Sequence, residues 1–178
     1  EDGGVHLVGG VGDLHDIGKN LVGTILENNG YTIVDLGKQV PVNTIIDAAI
    51  EHNATAIGLS ALLVSTSKQM PIVVSELHKR KLQFPVMIGG AAINRRFGYR
   101  ALFPEANTPF APGVFYCADA FEGLDTMNAL VSPKKETFLA QLVRDARDGL
   151  EKAAALAAKR DDSTILTGRV ESRIPALP

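Results

Sequence analysis

The chain has 178 residues, of which 46% are hydrophobic and 21% charged, a size and balance that suit one packed domain with a terminal appendage and exclude a disordered or fibrous polypeptide. Its net charge of -2, with lysine and arginine scattered rather than striped, excludes the electrostatic footprint of a nucleic-acid binder. No apolar run nears the ~18 residues of a membrane span and the start does not read as a secretory signal, so no membrane partner and a cytoplasmic location are expected.

Val5 to Val8 is a short apolar run between glycines, as for a buried parallel strand, and Gly9-Gly10-Val11-Gly12 ends it. The opening Glu1-Asp2-Gly3-Gly4 has no initiator methionine and leads almost at once into that strand, so a piece of something longer is expected. After a loop to Gly18, helical spacing runs from Lys19 through Leu21, Val22, Ile25 and Leu26 to a stop at Asn29-Gly30. Lys19 and Asn20 open this helix, where such residues ordinarily solvate or cap. Tyr31 to Leu36 is a second strand. Pro41, placed in a helix first turn, precedes Ile45, Ile46, Ala49 and Ile50 on one face.

The third strand spans Ala56 to Leu59 and ends at Ser60; a loop then leads to a helix over roughly Lys68 to Lys81, with Pro71 tolerable in its first turn. Pro85 to Ile88 is the fourth strand, closed by Gly89-Gly90. Residues 94–112 form the least regular stretch. Val114 to Tyr116 is the fifth strand, followed by a helix near Phe121 to Leu130. From Ser132-Pro133 a further helix carries Phe138, Leu142, Ala146, Leu150 and Ala153 to about Lys159, a length of ~40 Å, before a polar tail at 161–178. Its apolar stripe reads as core packing, with docking of a neighbouring module as the alternative.

Strand and helix in alternation predict a parallel sheet with helices on both faces, because parallel strands need crossover connections. The expected fold is α/β, a doubly wound, five-stranded, flavodoxin-like (Rossmann-like) sheet in the order 2-1-3-4-5. Three units follow: an α/β domain at 1–132, a C-terminal helix at 133–160, and a linker or tail at 161–178.

In such sheets ligands bind beyond the carboxyl ends of the strands, where the strand order reverses. Three loops converge there: Gly12 to Gly18, Ser60 to Thr66, and Gly89-Gly90, whose glycines would let a bulky ligand lie against backbone. In the first, Asp13 stands two residues before His15. A metal-binding imidazole usually gives its other N-H to a carboxylate, which Asp13 can supply. One histidine is too few for a zinc site. A metal already held by an organic macrocycle needs just one. The sole cysteine, Cys117, excludes an internal disulfide and a multi-thiolate cluster made by this chain alone, and reads as a small buried residue. His6, His52 and His78 read as structural. Gly9-x-x-Gly12 lacks the lysine of a phosphate loop, and Gly89-Gly90 taken alone is only a turn.

Asp13-x-His15-x-x-Gly18, with Ser60-x-Leu62 and Gly89-Gly90 at these separations, resembles the signature of cobalamin-binding domains. The string Gly12-Asp13-Leu14-His15-Asp16-Ile17-Gly18-Lys19-Asn20 is similar to that of cobalamin-dependent methionine synthase and its corrinoid-protein relatives, and the likeness covers about Val5 to Leu130. The resemblance implies cobalamin bound with its benzimidazole displaced and its nucleotide tail threaded into the sheet crevice, His15 taking the lower position on cobalt. It implies a relay from His15 through Asp13 to a hydroxyl, placed at Thr66 with Ser65 beside it. It also implies cofactor contacts at Asp16, Ile17, Gly18, Ser60, Leu62, Leu63, Val64, Ser65, Gly89, Gly90 and Ala91, with Tyr116, Cys117, Ala118 and Asp119 closing the far side of the tail pocket.

The implied role is a module of a methyltransferase that carries a methyl group as methylcobalamin between methyltetrahydrofolate and homocysteine. Its partners would be homocysteine-, folate- and activation-type domains, and the fragment alone is not expected to turn over. The alternatives are a free-standing corrinoid protein for methanol- or methylamine-type methyltransferases, a non-catalytic cobalamin sensor, an adenosylcobalamin mutase domain, and a flavodoxin-like interaction domain with no corrinoid at all. The Ile17-Gly18-Lys19-Asn20 continuation favours the methyl-transfer branch.

Overall fold

A computed structural model describes residues 6–9 and 17–168. Five strands alternate with helices: β1 (His6–Gly9), α1 (Ile17–Asn28), β2 (Thr32–Asp35), α2 (Val42–Glu51), β3 (Ala56–Ser60), α3 (Val64–Ser67), α4 (Gln69–Lys79), β4 (Val86–Gly89), α5 (Arg95–Ala101), β5 (Val114–Tyr116), α6 (Ala120–Leu130) and α7 (Lys135–Gly168). The strands form one sheet in the order β2-β1-β3-β4-β5, and every pairing is parallel.

Alternation along each strand sends successive side chains to opposite faces, and the register carries that choice across the sheet. Val86 pairs with Ile57 on one side and Val114 on the other. These three, with Val34, Leu59 and Ile88, face a core completed by Ile45, Ile46 and Ala49 of α2, Met70, Val73 and Leu77 of α4, and Ala101 of α5. Their neighbours Ile33, Ala56, Met87 and Phe115 face the other way, onto Leu26 of α1 and Met127 and Leu130 of α6. Each fully buried aliphatic side chain contributes about 1.5–3 kcal/mol of transfer free energy. Two cores on one sheet make a three-layer domain.

α1, α2 and α4 end in one motif, which returns the chain to the next strand. Tyr31 N donates to Leu26 O, Ala54 N to Ala49 O, and Leu82 N to Leu77 O. The residue before each closing donor has positive φ: Gly30 (89°), Asn53 (48°) and Lys81 (55°). This is the Schellman arrangement, with an apolar contact between the flanking residues. The Asn29-Gly30 stop is therefore where the sequence puts it.

Other boundaries differ. Pro41 is the N-cap of α2 rather than a first-turn residue, with extended backbone at φ -60°, ψ 147°. The loop before α4 contains the four-residue helix α3. Pro71 has no N-H to give the Ser67 carbonyl, so α3 and α4 do not merge. The stretch read as irregular contains α5, whose N-cap Asn94 accepts from Phe97 N at 2.9 Å. At seven residues α5 is too short to display a helical period. α7 has 34 residues, roughly 50 Å, and includes 161–168, which the sequence reads as tail. The first part of α7 packs on the domain. Ala146 is fully buried in the first core, Phe138, Leu139 and Leu142 pack on the second, and Phe138 stacks on Phe115 at 5.3 Å. The helix thereby covers the β5 edge of the sheet.

Candidate functional site

The order β2-β1-β3-β4-β5 makes the chain leave β1 and β3 in opposite directions, so their carboxyl ends flank the crevice of the topological switch point. The segment that joins β1 to α1 and carries Asp13, His15 and Asp16 lies outside the described residues, while Ile17 and Gly18 open α1. The loops after β3, β4 and β5 are described in full.

These loops are fastened by backbone. Ser60 pairs with Gly89, Ala61 N donates to Gly89 O at 3.1 Å, and Ala92 N donates to Ala61 O at 3.3 Å. Gly90 has φ 110°, and a Cβ there would lie 2.2 Å from Ala61 O. The sequence reading gives that space to a ligand; it belongs instead to the neighbouring loop. Gly89 is similarly close to β5, its Cβ position 3.1 Å from Cys117 O, and Cys117 N donates to Ile88 O at 2.9 Å. Three strand ends thus form one rigid floor.

At the β3 end, Leu63 is extended and caps α3. Its carbonyl accepts from Ser67 N at 3.0 Å and from Thr66 Oγ1 at 2.9 Å, while Ser67 Oγ donates to Val64 O at 2.7 Å. Thr66 therefore spends its proton locally and offers lone pairs outward. Ser65 is exposed and Ser60 and Leu62 are half-buried. Leu63 and Val64 remain 53% and 67% exposed, although their chain is otherwise bound tightly to the domain. Apolar side chains held open at a strand-end rim suit the underside of a flat, largely apolar ligand.

At the β5 end the four predicted residues separate. Tyr116 faces α5: Arg95 Cζ lies 5.4 Å from its ring centroid, and a Cβ on Gly98 would lie 3.1 Å from the Tyr116 Cβ, a tight approach. With Arg95, Thr126, Phe138 and Gln141 it lines a cavity of about 250 Å³ on the outer edge of β5. Cys117 Sγ turns to α6, 3.7 Å from Thr126 Oγ1, and burial pushes its thiol up to about 11. Asp119 caps α6, Oδ1 accepting from Glu122 N at 2.9 Å. Ala118 keeps an exposed side chain, and its N-H donates to Glu122 Oε2 at 2.7 Å. At this strand end the side chains of Tyr116 and Cys117 thus turn to α5 and α6, while Asp119 caps α6 from an exposed position. Arg95 and Glu122, paired at 3.1 Å, are absent from the sequence reading. The Asp119-x-x-Glu122 spacing, a capping-box pattern, is the signal that could have located Glu122.

His78 Nε2 lies 3.4 Å from Glu105, with its ring edge against Phe110, so it is tied into the fold. Among the described residues no three His, Cys, Asp or Glu side chains group as a metal site, and no helix is long and apolar enough to cross a membrane.

Comparison with known proteins agrees with this geometry. The family model described as B12 binding domain matches residues 7–106, more than half of the chain. Methionine synthase of Mycobacterium leprae (strain TN) is 40% identical over 131 residues, 72% of this chain and 10% of that protein. The chain thus spans about a tenth of the length of this relative. A cobalamin-binding protein from Desulfitobacterium hafniense DCB-2 superposes with TM-score 0.63 at 29% identity, covering 73% of this chain and 60% of that one. The methanol:cobalamin methyltransferase complex MtaBC from Methanosarcina barkeri also gives TM-score 0.63 at 29% identity, over 72% of this chain and 46% of that one.

Proposed function

Because this chain belongs to the B12-binding domain family and its cofactor is cobalamin, we propose that it is the cobalamin-carrying module of a methionine synthase, with His15 as lower ligand to cobalt. The observation that carries this is positional. Asp13-x-His15-x-x-Gly18 follows β1 in the sequence, β1 pairs with β3, and the chain after β3 keeps Leu63 and Val64 open.

The described residues fit the cofactor. The exposed Leu63 and Val64 match the apolar underside of a corrin, and the backbone floor at Ala61, Gly89 and Gly90 supplies a rigid margin. Bound cobalamin would supply a cobalt able to accept a methyl group and hand it on. The chain's own residues would set the conditions. His15 Nε2 would face the metal while Nδ1-H goes to Asp13, fixing tautomer and raising ligand basicity.

Thr66 would complete this relay, with its hydroxyl proton committed to Leu63 O. It can therefore accept from a protonated Asp13 but has no proton left to give an ionised one. In this arrangement Thr66 favours the protonated relay. The methyl donor methyltetrahydrofolate, the acceptor homocysteine, and the folate-, homocysteine- and activation-type domains that would bring them are part of the proposal. A cytoplasmic setting belongs to it too. The flavodoxin-like classification of the fold is supported by the strand order β2-β1-β3-β4-β5.

The likeness to the MtaBC complex favours a second reading, a corrinoid protein serving a separate methyltransferase subunit. Visible spectroscopy of the purified chain with methylcobalamin tests the feature common to both. The expected result is a base-off, histidine-on spectrum in the wild type that is lost in His15→Ala. Equal binding with identical spectra would defeat the assignment of His15.

A further inference from the structure

The segments assigned to the nucleotide-tail pocket lie at the ends of β3, β4 and β5, and the last two ends are joined by backbone as far as Cys117 N, which donates to Ile88 O at 2.9 Å. One side-chain pair spans them. Arg95, the first residue of α5, ends the loop that begins at Gly90. Its Nη2 lies 3.1 Å from Glu122 Oε1 and 3.4 Å from Oε2. Glu122 Oε2 also accepts from Ala118 N at 2.7 Å, and Glu122 N donates to Asp119 Oδ1 at 2.9 Å. The same guanidinium covers the Tyr116 ring at 5.4 Å. One arginine thus touches the side chain of Tyr116 and, through Glu122, the backbone of Ala118.

The two side chains are 52% and 40% exposed, which rules out a large role in folding stability. Their geometry does something else. Cys117 is already fixed to the β4 end by backbone, so fixing Ala118 N and the α6 N-cap sets the direction of residues 118–119, beyond that bond, relative to Gly90–Ala91.

We propose that Arg95 and Glu122 are positioning residues, a clasp that holds the far wall of the nucleotide-tail pocket in register with the near one. This rests on the cobalamin reading above. A clasp on the tail pocket must act on a corrinoid that has a nucleotide tail and be indifferent to one that lacks it. A merely structural pair would affect both alike.

Equilibrium titration of the full chain with cobalamin and with dicyanocobinamide, which has no nucleotide tail, separates these cases. Arg95→Ala and Glu122→Ala are each expected to weaken cobalamin binding about tenfold and to leave the cobinamide constant within about twofold. The double variant should be no weaker than the worse single one, because the pair acts as a unit. Melting temperatures are expected to match the wild type. If Glu122→Ala melts early, Glu122→Gln, which keeps an acceptor for Ala118 N and removes the charge, takes its place. Parallel losses for both corrinoids, or an unchanged cobalamin constant, overturn the clasp. A wild type that binds neither corrinoid removes the cobalamin reading, and the clasp with it.

Discussion

Gly90 illustrates how a residue can be found for one reason and matter for another. In the sequence, Gly89-Gly90 marks a strand end where backbone could meet a ligand. In the structure the missing Cβ of Gly90 makes room for Ala61 O, at 2.2 Å from where that carbon would sit, and its φ of 110° is one that side chains resist. Gly90→Ala is therefore expected to lower stability by about 3 kcal/mol or more, since clash and backbone strain add. Urea unfolding monitored by circular dichroism measures it, and a loss below about 1 kcal/mol would contradict the close passage. Thr66 and Ser65 divide similarly. Both lie where the relay hydroxyl is expected, but only Thr66 has a donor bond, to Leu63 O.

At the scale of elements, three helices end with the same closing bond but with different residues in the left-handed position: Gly30, Asn53 and Lys81. Glycine adopts that conformation freely, asparagine tolerably, and lysine at a cost. Lys81→Gly is accordingly expected to stabilise the domain by about 0.5–1 kcal/mol, the relief of strain exceeding the entropy returned to the unfolded chain. Thermal unfolding would detect it as a higher Tm, and a lower Tm would place the strain elsewhere. The Gly30 stop was legible because glycine announces it. The end of α4 was placed at about Lys81 by its period alone, and neither there nor at Asn53 was the left-handed residue legible, because the requirement lies in a hydrogen bond to a residue five positions before the donor. α5 was missed for a related reason: its seven residues bury only Gly98 and Ala101, too few for a pattern.

For the whole molecule, burial couples Cys117 to alkaline stability. Its thiol titrates near 11 in the fold, raised first by desolvation, against about 8.5 in an unfolded chain. Between those values the unfolded chain has lost the proton that the native one keeps. Stability is thus fully present below about pH 8.5 and falls as pH rises through about 11, by roughly 3 kcal/mol from this group. Tyr31, also raised by burial, adds to the fall at the alkaline end. Denaturation midpoints measured from pH 8 to 11 should decline, and Cys117→Ala should flatten the slope. An unchanged slope in that variant would mean the thiol is not protected.

Short apolar runs, helical periods and their alternation determined the parallel sheet and the candidate crevice, because these signals are written within one element or at its ends. Asp13 and His15 were equally legible as a local pattern, and they fall outside the described residues. The tertiary structure alone decided what depends on strands meeting across the sheet. It turned Tyr116 to α5 and Cys117 to α6, gave the space beside Gly90 to Ala61, and brought Arg95 to Glu122, 27 residues further on. A residue's type and spacing limit what it can do, but its partner in space is chosen by register and packing between segments that the sequence holds apart.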